Sequence, residues 1–243
     1  MDLTLVIPAF NEAERIEATL RDVAAYLDGL GADYELLVVD DGSTDGTVAL
    51  IESLQAEFPP LRCLVSATNR GKGHAVRQGM LAAQGRVRLM LDADGAMPPT
   101  ELFKLIDPLR RGDADVAIGS RYVMGSSVER AQPGWRRAWS RVIHRVAERR
   151  LIPGIQDAHC GYKAFTAPAA ERVFSRAEIN GWTFDLEVLA LSLAMGLGVE
   201  EVGIRWADDA RTKVRGVREL KGLAREWRTI RRNVDQGVYR AGR

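Results

Sequence analysis

Asp92 and Asp94 stand one residue apart, directly after the apolar run Arg88-Leu89-Met90-Leu91. On an extended segment alternate side chains point the same way, so both carboxylates are expected to face one divalent cation. Oxygen ligands favour Mg²⁺ or Mn²⁺. Such an ion needs further anionic ligands, and a diphosphate supplies them. A polar strand end that caps the next helix would use the same residues, so the pair alone leaves a structural reading open. Asn69-Arg70-Gly71-Lys72-Gly73 is a glycine-rich turn at an expected helix start, a weak signal for a phosphate cradle. No GxxxxGK followed by Ser or Thr and no GxGxxG is present, so neither a P-loop nor a dinucleotide fingerprint is available. Cys63 and Cys160 are too few and too far apart for a disulfide framework or a cysteine zinc site.

The elements that must position these residues alternate. Leu3–Ile7, Tyr34–Val39, Leu61–Val65, Val87–Leu91 and Val116–Ile118 read as short apolar strands. Between them, Glu12–Leu30, Thr44–Phe58, Lys72–Ala83 and Pro99–Arg111 carry helical spacing. This order predicts an α/β fold with a mainly parallel central sheet and helices on both faces. Ligands in such sheets gather at the carboxyl ends of the strands. There the sequence places 8–12, Asp40-Asp41-Gly42-Ser43, 69–73, Asp92-Ala93-Asp94 and 119–121. Each segment alone is turn chemistry; together they mark one edge. The second half reads as a helix near 134–150, a strand near 160–166, helices near 167–174 and 183–196, a strand near 199–206 and a last helix near 216–234.

The 243 residues are 46% hydrophobic and 28% charged, which excludes disorder over most of the length. The longest nearly apolar stretch, Val188–Val199, is too short to span a bilayer. The opening MDLTLVIPAFNEAER has no basic n-region and is not expected to act as a signal peptide. Free thiols fit a cytoplasmic protein. The net charge of +1 divides into about −8 over residues 1–120 and +9 over 121–243. The division points to metal binding in one half and to anion or membrane binding in the other; an excess of surface arginine is the plainer account. Nucleic-acid binding is not expected, since the basic half carries no recognised motif.

The segments VIPAFNE (6–12), VVDDGSTDGT (38–47), NRGKGHAVRQGM (69–80), LDADGA (91–96), IGSRY (118–122), DAHCGYKAF (157–165) and GWTFDLEVL (181–189) together carry a resemblance. The chain resembles inverting glycosyltransferases of family two with the GT-A fold. Within that family it is similar to the dolichyl- or polyprenyl-phosphate sugar synthases, above all the dolichyl-phosphate glucosyltransferase branch. The resemblance implies one GT-A domain over 1–213, with a nucleotide-sugar half (1–120) and an acceptor half (121–213). A basic amphipathic helix and tail would follow over 214–243. It further implies that Pro8, Ala9 and Glu12 line a nucleoside pocket, that Asp40 bonds the base, and that Asp92 and Asp94 hold the metal on the donor diphosphate. Substrate contact extends by the same resemblance to Asn11, Asp41, Gly42, Ser43, Asn69, Gly71, Lys72, Gly73, Ala93, Lys163 and Asp185. Arg121 and Arg136 match residues that grip phosphate, and Arg211 and Lys213 match a late basic element over the donor. Phe184, Asp185 and Glu187 match a segment beside the sugar. The mannosyl branch commonly has Gln two residues after the second Asp; Ala96 stands there, which favours a glucosyl-like donor over GDP-mannose.

The reaction then expected is transfer of a hexose, with inversion, from a nucleoside diphosphate sugar to polyprenyl phosphate. An acceptor phosphate is already an anion, so the site needs Arg and metal ligands rather than a base. His74, His144 and His159 are accordingly expected to be structural. Two other enzymes compete: a family-two transferase acting on a hydroxyl with Asp157 as base, and a nucleotidyltransferase. A lipid acceptor requires a membrane surface. Trp135, Trp139, Val142, Ile143 and Val146 lie at helical spacing among arginines, and Val217–Tyr239 repeats the pattern with Leu220, Leu223, Trp227 and Ile230. Both stripes are expected to reach the inner face of a membrane as a peripheral contact, or else to pack on the sheet or on a separate membrane-embedded protein.

Overall fold

The computed structural model describes residues 1–128, 151–206 and 217–240. In chain order the first half contains β1 (Leu3–Ala9), α1 (Ile16–Gly29), β2 (Tyr34–Asp40), α2 (Thr47–Gln55), β3 (Leu61–Val65), α3 (Lys72–Ala82), β4 (Val87–Met90), α4 (Leu102–Arg111) and β5 (Val116–Ser120). Then come β6 (Ser127–Val128), β7 (Lys163–Thr166), α5 (Ala167–Phe174), α6 (Phe184–Ala194), β8 (Val199–Gly203), β9 (Arg205–Trp206) and α7 (Val217–Asp235). The expected elements are present, with shifted ends. α1 starts at Ile16 rather than Glu12, because the Glu12 amide is taken by Thr47 Oγ1 at 2.9 Å and its carboxylate by Arg15. Pro99–Glu101 is a 3₁₀ turn that leads into α4, and α4 ends at Gly112 in the left-handed region, φ 77°.

Seven strands form one sheet in the order β3-β2-β1-β4-β7-β5-β8. β2 is buried at every position, as a strand covered on both faces must be. β7 departs from the parallel pattern and runs antiparallel to both β4 and β5. Its position explains the reversal. The chain leaves β5 at Ser120 on the carboxyl edge and re-enters at Lys163 on that same edge, beside Ile118. Without a crossover to the opposite edge, the returning strand has to be antiparallel. β6 and β9 form a separate two-stranded ribbon.

Two cores lie on opposite faces. One joins Val6, Val39, Val76 and Met80 to Phe165, Phe174 and Leu189; the other joins Leu5, Ile7, Leu20, Leu36 and Ile51 to Leu89, Leu105 and Tyr162. α7 belongs to the first: Ile230 is fully buried, and Trp227 and Val234 pack against the same cluster. The described part of the α7 stripe, Trp227, Ile230 and Val234, therefore packs on the protein, which is the second of the two placements expected for it. Arg225, Arg228, Arg231 and Arg232 are left on the outside. The side chains of Leu220 and Leu223, the first tryptophan helix and the proposed boundary at 213/214 all lie outside the described residues. Among the described residues no helix is long and apolar enough to cross a membrane.

Close packing of α3 on the sheet depends on Gly79. A Cβ there would come within 2.3 Å of Val6 Cγ1 and 2.8 Å of Val39 Cγ2. Both valines are fully buried strand residues with stiff side chains. Gly79→Ala is expected to destabilise the fold by about 1–3 kcal/mol through overpacking. The measurement is a lower urea midpoint at unchanged slope. An unchanged midpoint would contradict this packing.

Candidate active site

The loops after β1, β2 and β3 are tied to one another at the carboxyl edge. Asn11 takes a left-handed conformation, φ 55°, and its side-chain oxygen accepts the Thr44 amide at 2.8 Å. Its own amide donates to Ser43 Oγ at 2.8 Å. Gly42 is required in this crossing: it has φ 76°, and a Cβ would lie 2.6 Å from the Thr68 carbonyl carbon. Asp40 Oδ2 accepts the amides of Gly42 and Ser43 at 3.0 and 2.9 Å. Asp40 Oδ1 is buried with no partner among the described residues. A buried acceptor without a donor is costly, and an N–H of a ligand would satisfy it. Asp41 accepts the amides of Arg70 and Gly71, the latter at 2.7 Å. Two amides of the expected phosphate cradle are thus already used by a carboxylate.

Gly71 and Gly73 let α3 pack closely on a neighbouring loop. A Cβ on Gly71 would lie 2.4 Å from the Asn180 carbonyl oxygen, and one on Gly73 2.4 Å from that of Ile179. The start of α3 therefore docks directly on the 179–183 loop. His74 is buried beside it, and burial together with Arg70 and Arg77 lowers its pKa, so it is neutral near pH 7. That fits the structural role expected of it.

β4 ends at Met90, and Asp92-Ala93-Asp94 lies in a turn instead of an extended strand. The alternation argument for the acidic pair therefore does not apply. The turn nevertheless brings the two together: Asp94 is raised in pKa by burial and by the Asp92 charge. Asp94 Oδ1 also accepts the Ala96 amide at 3.1 Å. Asp92 Oδ1 receives Lys72 Nζ at 2.5 Å, and Oδ2 turns toward Gly161. The methyl groups of Ala93 and Ala9 are buried in the second core. Behind the turn, the hydroxyl of buried Tyr162 accepts the Met97 amide at 3.1 Å.

The second half adds two ion pairs of different kinds. Arg121 clamps Asp157 through Nε and Nη2, both at 2.8 Å, and its amide adds a bond of 2.9 Å. Burial alone would raise the Asp157 pKa; Arg121 overcomes that and holds it below the usual carboxylate range. The guanidinium also lies 5.1 Å over the Trp206 ring. Beneath this, Lys163 and Asp185 pair at 2.5 Å, with Lys163 fully buried and donating also to the Cys160 carbonyl. These two were expected to touch substrate; in the free chain Lys163 has no exposed surface. Glu187 is structural. It accepts the amides of Glu178 and Ile179 and the Tyr239 hydroxyl.

Asp40 at the end of β2, Lys72 at the start of α3, and Asp41, Ser43, Asp92, Asp94 and Arg121 on the connecting loops thus share one rim, with Pro8 near the end of β1, Asn11 and Glu12 just after it and exposed Asn69 after β3. Arg136, Arg211 and Lys213 lie outside the described residues. Three contributors were not legible in sequence. Gly161 meets Asp92, Trp206 covers Arg121, and Glu226 on α7 bonds the Thr183 hydroxyl at 2.5 Å. The position of Gly161 just before a strand was a signal; nothing local marked Glu226.

The glycosyl transferase family 2 model matches residues 4–174. The chain is 34% identical to the dolichyl-phosphate beta-glucosyltransferase of Drosophila melanogaster over 86% of its length and 68% of that protein's. It is 32% identical to the Dictyostelium discoideum enzyme of the same name, covering 85% of this chain and 66% of the relative, so it spans about two thirds of these proteins. Glucosyl-3-phosphoglycerate synthase from Mycobacterium tuberculosis, solved with Mn²⁺, UDP-glucose and phosphoglyceric acid, superposes with a TM-score of 0.67 at 21% identity. That alignment covers 94% of this chain and 78% of the synthase, and it shows a shared GT-A type fold. With a carboxyl-edge acidic turn on this sheet and a family match across most of its length, the chain is an enzyme belonging to glycosyl transferase family 2.

Proposed function

We propose that the chain transfers a hexose, with inversion, from a nucleoside diphosphate sugar to a polyprenyl phosphate, with UDP-glucose the favoured donor. One observation carries the choice of acceptor. The carboxylate at the place of a general base, Asp157, has both oxygens clamped by Arg121 and a lowered pKa. A carboxylate with a depressed pKa and both oxygens engaged by an arginine is poorly matched to deprotonating a hydroxyl. A phosphate acceptor needs no such base. The names of the dolichyl-phosphate glucosyltransferase relatives support the same acceptor class and a glucosyl donor.

The residues divide the work as follows. Asp40 Oδ1 is suited to receive an N–H of the base, whether uracil or guanine. Asp92 and Asp94 are the carboxylates that would hold a divalent cation, Mg²⁺ or Mn²⁺. Two carboxylates are too few to complete its shell, so the donor diphosphate would supply the rest. When bound, the ion neutralises charge on the leaving nucleoside diphosphate. The Arg121 clamp on Asp157 engages Nε and Nη2 and leaves Nη1 outside it; that group would orient the acceptor phosphate. An acceptor oxygen attacks C1 from the face opposite the diphosphate. The new C1–O bond forms as the old one breaks, and the electron pair leaves with the diphosphate. Residues 1–120 would hold the donor and 121–213 the acceptor. The outward arginines of α7 give an electrostatic contact with an anionic membrane on its cytoplasmic face, each worth about 1 kcal/mol near such a surface.

Labelled UDP-glucose with polyprenyl phosphate and Mg²⁺ or Mn²⁺ is expected to give a lipid-extractable product. No product with any common UDP- or GDP-sugar would overturn the reading. Asp92→Asn is expected to lower kcat by about 10²–10³-fold, as loss of charge stabilisation at a leaving group does.

Acid stability tests the Arg121 clamp. A carboxyl depressed in the folded state adds stability that is complete above its unfolded pKa near about 3.9 and is lost as pH falls through the folded value. Asp157→Asn should therefore cost stability at neutral pH and narrow its gap to wild type on acidification. Urea midpoints between about pH 7 and about pH 3 measure this; a gap independent of pH would refute the clamp.

A further inference from the structure

Lys72 covers the place where an ion would meet Asp92. Oδ1 of Asp92 lies 2.5 Å from Lys72 Nζ. The other oxygen, Oδ2, faces the backbone of Gly161, where a Cβ would come within 2.0 Å of it. An ammonium already sits on Oδ1, where a metal ion would bind a carboxylate oxygen. The ammonium is held there by more than the one bond. It lies 5.6 Å over the Trp182 ring and 5.9 Å over that of Phe184, and it also feels the charges of Asp185 and Asp94. Its backbone is fixed as well, since Asp41 binds the two preceding amides and Gly71 abuts the Asn180 carbonyl.

We propose that Lys72 is a stand-in cation: in the free enzyme its ammonium occupies the metal position on Asp92, and it moves to the diphosphate when nucleotide and divalent ion enter together. The inference rests on the donor reading above. The reasoning is one of charge. Without a cation, Asp92 and Asp94 would repel across a partly buried turn. With Lys72 present, the pair is screened and the loop keeps its shape. A divalent ion on Oδ1 repels the ammonium at contact distance, so the ion alone binds against a competitor. The donor diphosphate removes the conflict, because it offers the displaced ammonium new acceptor oxygens and the ion new ligands. Metal and nucleotide then strengthen each other by the same factor, as linkage requires.

The test is Mn²⁺ binding by the full chain, read from the free-ion paramagnetic resonance signal with and without UDP. Wild type is expected to bind Mn²⁺ weakly alone and about tenfold or more tightly with UDP, a normal size for such coupling. Lys72→Met is expected to bind Mn²⁺ alone about tenfold more tightly than wild type, to bind UDP more weakly and to show a smaller coupling. Lys72→Arg keeps a cation in place and should stay near wild type. Lys72→Gln repeats the measurement if the methionine variant fails to fold by circular dichroism. Neutral variants that bind Mn²⁺ alone no better than wild type overturn the proposal while leaving the transferase reading intact if hexose transfer persists. Absence of Mn²⁺ binding by wild type and variants alike, even with UDP, overturns both.

Discussion

A lysine with no exposed surface lies near the centre of the sheet, and the second half of the site is arranged around it. Lys163 begins β7 between Met90 and Ile118, and its ammonium is answered by Asp185 and the Cys160 carbonyl. A buried charge has to be paired and hydrogen-bonded, or its desolvation is not offset. That requirement brings the first turn of α6, which carries Asp185, against the strand that follows the acceptor-side loop. Asp185 also lies within the electrostatic reach of Lys72. The same placement puts the 179–183 loop on the start of α3. One ion pair thus links three segments distant in sequence.

The acids of this protein divide by what holds them. Asp41, Glu187, Glu226 and Asp157 all accept hydrogen bonds from protein groups and act as fasteners between loops. Asp92 and Asp94 carry lighter ties, to Lys72 and to the Ala96 amide, and one oxygen of Asp40 is buried with no partner among the described residues. Glycine makes the division possible. Gly42, Gly71, Gly73 and Gly161 each allow a backbone to approach where any side chain would collide. The segment 69–73, which reads as a phosphate cradle, is therefore in large part a joint between loops.

α7 is part of this arrangement as well as of the surface. Its Ile230 completes a core, its Glu226 holds Thr183 at the entrance of α6, and its arginines face outward. A helix anchored this way can carry a membrane contact only through its charged side.

The alternation of strands and helices was written in local apolar spacing, and the rim followed from it, because strand ends in a wound sheet share one edge. The acidic turn, the Asp40-Asp41 pair and Arg121 were legible for that reason. The antiparallel course of β7 was not, since direction depends on where a long connection re-enters the sheet. Nor was the fate of each acid. Residue type says that Asp157, Asp185 and Glu187 can carry charge, whereas only their neighbours decide whether that charge is spent on an arginine, a lysine or a pair of amides. The sequence by itself determined the fold class, the family and the edge where chemistry occurs, because these depend on periodicity and motif. Tertiary structure alone decided which side of α7 faces the protein, which glycines are joints and which carboxylates remain available, because those depend on distances between segments that the sequence keeps far apart.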